Sequence, residues 1–566
     1  MLAPIFPEPP SSIEATPLSA CDAIAERLHA AKDRWAALPI PKRIAALRAC
    51  IDGMGTVGEA WTHMACKAKG HAAGSVGEGE EWLAGVMPVV RNLRLLIEAL
   101  EADGQPKLPK TWRRSDGQWV AQVFPTNLMD KALFTGHSAE IWIEPGEKPT
   151  QGRIYRERDT TGGVSLVLGA GNQASIGPMD VLYKLFVENE VAILKMNPVN
   201  DYLGPFIEQA FKPLVELDAF AVVYGGAEVG AHLCKHALVD TIHITGSAAT
   251  HDVIIWGPGS EEEVAARKER GEKALDKPIT SELGCVTPVI IVPGPWSDAE
   301  IDFQARHVTS MVTHNASFNC NAGKVVVIPG GWDKKERFLS RLRHHLSRAP
   351  LRKAYYPGAQ DRYDAFLEKY PDAEMLGERS DTVVPWTLIP AVKPGDSGYA
   401  LTHEAFCGVL ALTEIDASTP EDFLRKAVPF CNDTLWGTLS CTVLIHPKTE
   451  KAHAAAFDRA IADLRYGGIG VNAWSGVVYG LVVTTWGAFP GHTLEDIRSG
   501  IGVVHNTFLL DHPQKSIVRA PFIIRPTPAW FFDHGNLPGL GKKLSSFEAS
   551  PSWLKVAAVA AQALRG

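Results

Sequence analysis

Apolar positions set the first boundary in this chain. Ile24, Leu28, Ala31 and Trp35 recur at helical spacing, and Val89, Leu93, Leu96, Ile97 and Leu100 repeat it, so the first 105 residues read mainly as helix. Residues 103–160 are mixed and turn-rich, and in IWIEPGEKPTQGRIYRERDT two strand-like runs flank Glu147 and Lys148, which predicts a hairpin. From Val164 the pattern becomes regular. Apolar runs at 164–168, 191–194, 219–224 and 241–244 alternate with helix-length amphipathic segments. Repeated strand-helix-strand crossover forces parallel pairing, hence an open doubly wound sheet whose ligand crevice lies at the carboxyl ends of its strands.

A second series of strand-like runs (289–292, 324–328, 441–445, 469–472) alternates with helical segments such as 332–347, which predicts a second α/β domain. Between the two series the charged, glycine-bounded stretch 257–273 reads as an exposed excursion with a helix over Glu261–Glu269. The tail beyond Pro526 is rich in Pro and Gly and ends in an apolar helix, Trp553–Arg565.

Composition narrows the class. Of 566 residues, 46% are apolar and 21% charged, close to the soluble globular average, which excludes a disordered or collagen-like chain. The net charge of −8 comes without a long single-sign block, so no nucleic-acid partner is expected. The longest apolar candidate, Val477–Phe489, is too short for a membrane span and is interrupted by Thr484 and Thr485. The opening MLAPIFPEPPSS has no basic segment leading into an apolar core, and the nine scattered cysteines lack framework spacing; together they predict a cytoplasmic address and free thiols. His232, Cys234 and His236 share one predicted helix but find no third-ligand motif, so no metal site is expected.

Candidate chemistry follows the strands. VSLVLGAGNQAS places Gly169, Gly171 and Ala174 after a strand and before a helix, a loose dinucleotide fingerprint without its usual acidic residue, since the next strand ends in Lys195. Gly225 with Gly226, and Thr245-Gly246-Ser247, also end parallel strands, where backbone N–H groups and a hydroxyl suit a pyrophosphate. Farther on come SELGCVTP and HNASFNCNAG, which carry Glu282 and Cys320.

In order and spacing, this series is similar to the aldehyde dehydrogenase superfamily: Asn172 in GAGN, Lys195 in AILKMNP, Thr245-Gly246-Ser247, Glu282-Leu283-Gly284, Cys320 in NASFNCNAG, Glu404-Ala405-Phe406 and Val471-Asn472. The motifs span roughly 140–525, with the helical N-terminal part matching by layout. The resemblance implies an NAD(P)-dependent, non-acylating enzyme with NAD or NADP as cofactor and a small-molecule aldehyde as substrate. Cys320 would be the nucleophile, Asn172 an oxyanion donor and Glu282 the general base that activates water. Lys195, Gly225, Thr245, Gly246, Ser247, Glu404 and Phe406 would hold the cofactor.

The implied fold is α/β, with two doubly wound open-sheet domains and a small bridging oligomerisation sheet. Residues 1–137 and 161–283 would bind the cofactor and 284–511 would form the catalytic domain. A hairpin and strand at 138–160 and 512–526 would join a homodimer or homotetramer, leaving 527–566 as a C-terminal extension. The chain departs from the family pattern in three places: Met196-Asn197-Pro198 follow Lys195 where NAD-preferring members carry a carboxylate, Ser317-Phe318 replace Gly-Gln, and Cys407-Gly408 replace Gly-Pro. Two alternatives stay open. An acylating relative would pass the acyl group to coenzyme A, and a catalytically silent member would serve as a scaffold; Glu282 weighs against the first.

Overall fold

The structure, a computed structural model, describes residues 6–158, 160–393 and 398–566. Strands Gly163–Leu168, Glu190–Lys195, Phe220–Val223, Thr241–Gly246 and Ile279–Leu283 form a five-stranded sheet, every pair of it parallel. In space the strand beginning at 220 comes first, followed by those at 190, 163, 241 and 279. Val191, Ala192, Ile193 and Leu194 are all fully buried, as continuous apolar strands covered by helices on both faces must be. The order reverses beside Gly163–Leu168, which opens a crevice at the ends of its neighbours.

The second sheet is larger than the pattern predicts. Parallel strands run from Trp386–Ile389 through Val409–Ile415, Val325–Pro329, Pro288–Ile291, Ser440–Leu444 and Gly468–Val471 to Pro513–Arg519. Strand Pro513–Arg519 then pairs antiparallel with Ser138–Ile143, and Trp119–Phe124 and Lys110–Arg113 continue the meander. Because that strand is used on both edges, the bridging segment is a continuation of the larger sheet, 11 strands in all. Residues 110–124, assigned from the sequence to the cofactor domain, accordingly lie in this meander.

The hairpin expected at 138–160 is half present. Ser138–Ile143 is a strand, whereas Arg153–Glu157 is a short helix. Pro145 and Pro149 cannot donate to a ladder, and Gly152 turns with φ +62°, packed so closely that a Cβ there would lie 2.1 Å from the Gly104 carbonyl oxygen. The excursion is an exposed helix, Glu261–Arg270, started by a Ser260/Glu263 capping box and burying none of its residues.

Helices Leu18–Ala36, Ile40–Lys69, Val76–Glu81 and Met87–Glu101 form the N-terminal part, the last two joined by a π-helical turn, Trp82–Val86. Against that turn lies Leu537–Ala549 of the C-terminal extension, close enough that a Cβ on Gly541 would meet Cβ of Trp82 at 2.6 Å. Leu537, Leu540, Leu544 and Phe547 bury their side chains there with Met87, Val556 and Val559. A buried ion pair pins the junction: Arg91 Nη1 lies 2.6 Å from Glu548 Oε1, and Arg94 pairs with the other oxygen. Among the described residues, no helix is long and apolar enough to cross a membrane.

Candidate active site

Glu282 sits at the end of strand Ile279–Leu283 in the smaller sheet, and Cys320 lies between the turn His314–Ser317 and strand Val325–Pro329 of the larger one. Asn315, Ala316 and Ser317 all adopt left-handed backbone (φ +51°, +55° and +67°), a conformation that costs about 1–3 kcal/mol per non-glycine residue. Such a run persists only where the surroundings hold it.

They do so through a buried polar network. Lys69, at the end of helix Ile40–Lys69, gives its ammonium to Glu81 Oε1 (2.7 Å), the Asn172 carbonyl (2.9 Å) and Asn315 Oδ1 (3.1 Å). All three of its N–H bonds are thereby satisfied. The Tyr355 hydroxyl stands 3.0 Å from the Asn172 carbonyl and 3.0 Å from Asn315 Oδ1. Glu80 Oε2 receives the Asn315 backbone N–H, and Arg352 holds its other oxygen at 2.8 Å. From the far side, Lys324 Nζ donates to the Ser317 carbonyl and hydroxyl at 2.9 and 3.0 Å.

Within this frame Cys320 is partly exposed while Glu282 is 5% exposed. Trp486 Nε1 donates to Glu282 Oε1 at 3.0 Å, and the Glu282 carboxyl lies near enough to the Cys320 thiol for each to act on the other's proton. Burial pushes Glu282 up to about 8 despite the indole donor. Burial, then the neighbouring Glu282 and Glu404 carboxyls, push the Cys320 thiol well above its usual range. Near neutral pH both groups therefore favour their protonated forms, and the carboxyl is the first of the two to lose its proton as pH rises. Asn172 is buried, and its amide donates to the Phe318 carbonyl at 3.0 Å. Asn172 and Cys320 line one cavity of about 160 Å³.

The residues expected to hold a cofactor lie at strand ends of the five-stranded sheet and across the crevice. Lys195 closes its strand, and burial lowers its ammonium. Gly225 (φ +131°) follows strand Phe220–Val223. Thr245 turns inward, donating to Asp180 Oδ2 at 2.9 Å, whereas Gly246 and Ser247 are exposed at the head of helix Ala248–Trp256. Ser247 caps that helix by accepting the Thr250 N–H. Glu404 packs on Gly284, where a Cβ would fall 1.9 Å from its Oε2, and its Oε1 is a buried acceptor without a partner. Phe406 stands 5.9 Å from Phe318, ring centre to ring centre.

Sequence reasoning missed Lys69, Glu81, Asn315, Tyr355 and Lys324. Their contacts join segments up to 246 positions apart, as Lys69 to Asn315, and a charged residue on an amphipathic helix gives no local sign of burial. Of the downstream aromatics, Trp474 and Tyr479 line the cavity, Trp486 holds Glu282, and Phe489 packs under Lys515. His232 and His236 both turn to Asp22.

Residues 183–360 match the model of the aldehyde dehydrogenase family. No curated protein matches the sequence. Among solved structures, the chain is similar to the aldehyde dehydrogenase KauB from Pseudomonas aeruginosa at 16% identity and TM-score 0.61, over 90% of this chain and 91% of that one. An aldehyde dehydrogenase from Mycobacterium tuberculosis complexed with NAD+ aligns at 16% identity and TM-score 0.59, over 90% and 91%. An NADP-dependent glyceraldehyde-3-phosphate dehydrogenase from Bacillus halodurans, complexed with NADP, aligns at 16% and 0.60, over 91% and 95%. At such identities the likeness is one of fold.

Proposed function

We propose that this chain, a member of the aldehyde dehydrogenase superfamily, oxidises an aldehyde to a carboxylic acid with NAD+ or NADP+, water supplying the second oxygen. The observation that carries the reading is Cys320 beside Asn172 on one cavity wall, with the buried Glu282 carboxyl near enough to act on the thiol. Sulfur attack on the carbonyl carbon forms the S–C bond as Glu282 takes the thiol proton. The alkoxide that develops needs donors, and the Asn172 amide, fixed through its own carbonyl by Lys69, stands ready to turn to it. A bound nicotinamide would supply the acceptor for the hydride leaving this carbon, which would remain as a thioester on Cys320. Once it has passed the thiol proton to solvent, Glu282 draws a proton from water, whose oxygen attacks the thioester carbon; the C–S bond breaks, releasing the acid and leaving Cys320 as thiolate.

The chain's own residues fit such a cofactor. The orphaned Glu404 Oε1 is an acceptor suited to ribose hydroxyls, and the exposed Gly246-Ser247 turn heads a nine-residue helix whose positive end suits a pyrophosphate. Lys195 would contact the adenosine ribose, and Gly225 leaves the backbone room to approach. Met196-Asn197-Pro198 follow Lys195 with no carboxylate among them, and Asp201, which acts on Lys195, accepts the Ile13 N–H at 3.2 Å; the missing carboxylate removes one obstacle to a 2′-phosphate. In this reading 1–137 and 161–283, less the strands at 110–124, form the cofactor lobe, and 284–511 the catalytic lobe. The open outer strand Lys110–Arg113 supports a homodimer or homotetramer built on the antiparallel end of the large sheet.

The test is absorbance of the reduced nicotinamide in an aldehyde panel with NAD+ and NADP+ and no coenzyme A. Reduction without coenzyme A supports the reading; reduction only in its presence would replace it with acyl transfer.

A further inference from the structure

The cavity at Cys320 is closed by a part of the chain outside the recurring motif series. Ala529, Trp530, Leu544 and Glu548 of the C-terminal extension line the same cavity as Cys320 and Asn172, facing Met87 and Ile176. We infer that residues 527–566 form the distal wall of the aldehyde pocket and select an uncharged substrate whose apolar group is about the size of a benzene ring. The inference rests on Cys320 being the nucleophile.

Three observations carry it. The first is size: the cavity measures about 160 Å³, and a dry apolar cavity of about 150 Å³ is known to accept benzene. The second is lining. Apart from the polar groups beside Cys320, the walls are built from Leu83, Met87, Val477, Leu481, Trp530 and Leu544. The third is charge. The only ionised groups lining the cavity, Arg91 and Glu548, are already committed. Glu548 is fully buried and takes Arg91 on one oxygen and Arg94 on the other. Arg91 gives its Nε to the Leu481 carbonyl at 2.8 Å, and Arg94 is balanced further by Glu98. Two cations against two anions leave no free counter-ion. A substrate carboxylate or ammonium would lose its water without gaining a partner. The same ion pair ties the extension to helix Met87–Glu101, so the wall is fixed in place.

The experiment compares kcat/KM for benzaldehyde, 4-carboxybenzaldehyde and 2-naphthaldehyde in the full-length protein and in Leu544→Ala and Trp530→Ala. In the unaltered protein benzaldehyde should exceed 4-carboxybenzaldehyde by about 100-fold or more, and 2-naphthaldehyde by about 10-fold, since pocket fit discriminates by roughly 10–200-fold per methylene-sized change. Leu544→Ala should raise the naphthaldehyde-to-benzaldehyde ratio about 10-fold, a gain that misfolding cannot produce. Calorimetry with benzyl alcohol, which cannot be turned over as an aldehyde, should show binding that weakens in Trp530→Ala at an unchanged melting temperature. Equal kcat/KM for the neutral and carboxylated rings, or ratios that neither variant moves, would overturn the pocket assignment while leaving aldehyde oxidation standing. Absence of turnover with every aldehyde would overturn both.

Discussion

The Cys320 side of the crevice and the side proposed to hold the cofactor are built in different ways. Around Cys320 three successive left-handed residues are clamped by Lys69, Tyr355, Glu80 and Lys324, which arrive from both lobes. Around Ser247 and Gly225 the chain uses local turn and cap chemistry, and the groups that would meet a ligand lie within a few residues of a strand end. A reacting sulfur must be held to fractions of an ångström, whereas a pyrophosphate can be met by any well-placed helix head. The costly conformation is found where positional accuracy matters.

The sharpest way to break this contrast is at the sulfur. Cys320→Ala should lower aldehyde oxidation by more than about 10³-fold, with nicotinamide binding, read by fluorescence titration, nearly intact. Retained oxidation would move the nucleophile elsewhere. Next comes Lys69→Met, which leaves Glu81 buried without its cation. It should cost about 3–5 kcal/mol in urea unfolding and roughly 10²-fold in kcat as the Cys320 loop relaxes. The Lys324→Met change should cost less, since it removes two hydrogen bonds from a single residue.

Glu282 gives a prediction with a direction in pH. Its ordinary value of 4.5 is raised to about 8, so the basic form accumulates only as pH climbs through that region. Then kcat should rise between pH 6 and 9 with an apparent midpoint near 8, a value belonging to the Glu282–Cys320 pair. Stability runs the other way. A carboxyl raised on folding contributes its full stabilisation below pH 4.5 and loses it as pH rises through about 8. Glu282→Gln should flatten both trends and lower kcat by about 10²–10⁴-fold.

The smallest effect lies on the cofactor side. Ser247→Ala removes a helix cap worth about 1 kcal/mol and should weaken nicotinamide binding only a few-fold, because backbone N–H groups remain.

The same contrast explains what the sequence makes legible. Four of the five parallel strands stand where apolar runs predict them, whereas Ile279–Leu283, with Thr280, Ser281 and Glu282 inside it, has no such run to show it. The exposed helix Glu261–Arg270 is equally readable, from its charge and its capping box. The second strand of the 138–160 hairpin misleads, because Ile154 and Tyr155 look strand-like while Gly152 and the prolines force a turn and a short helix. The joining of two sheets through Pro513–Arg519 could not be read from its own residues, since one apolar strand pairs as readily on two edges as on one. Of the motif series, Asn172 and Cys320 line one cavity with Glu282 and Glu404 neighbouring the sulfur, but Lys69 and Glu81 look like ordinary surface charges until the fold buries them.

Acid quenching during turnover, followed by mass spectrometry of the peptide that contains Cys320, would examine the sulfur itself. The peptide should carry the mass of the acyl group derived from the aldehyde. Formation of reduced nicotinamide with that peptide unmodified, or with the acyl group on another residue, would contradict the account.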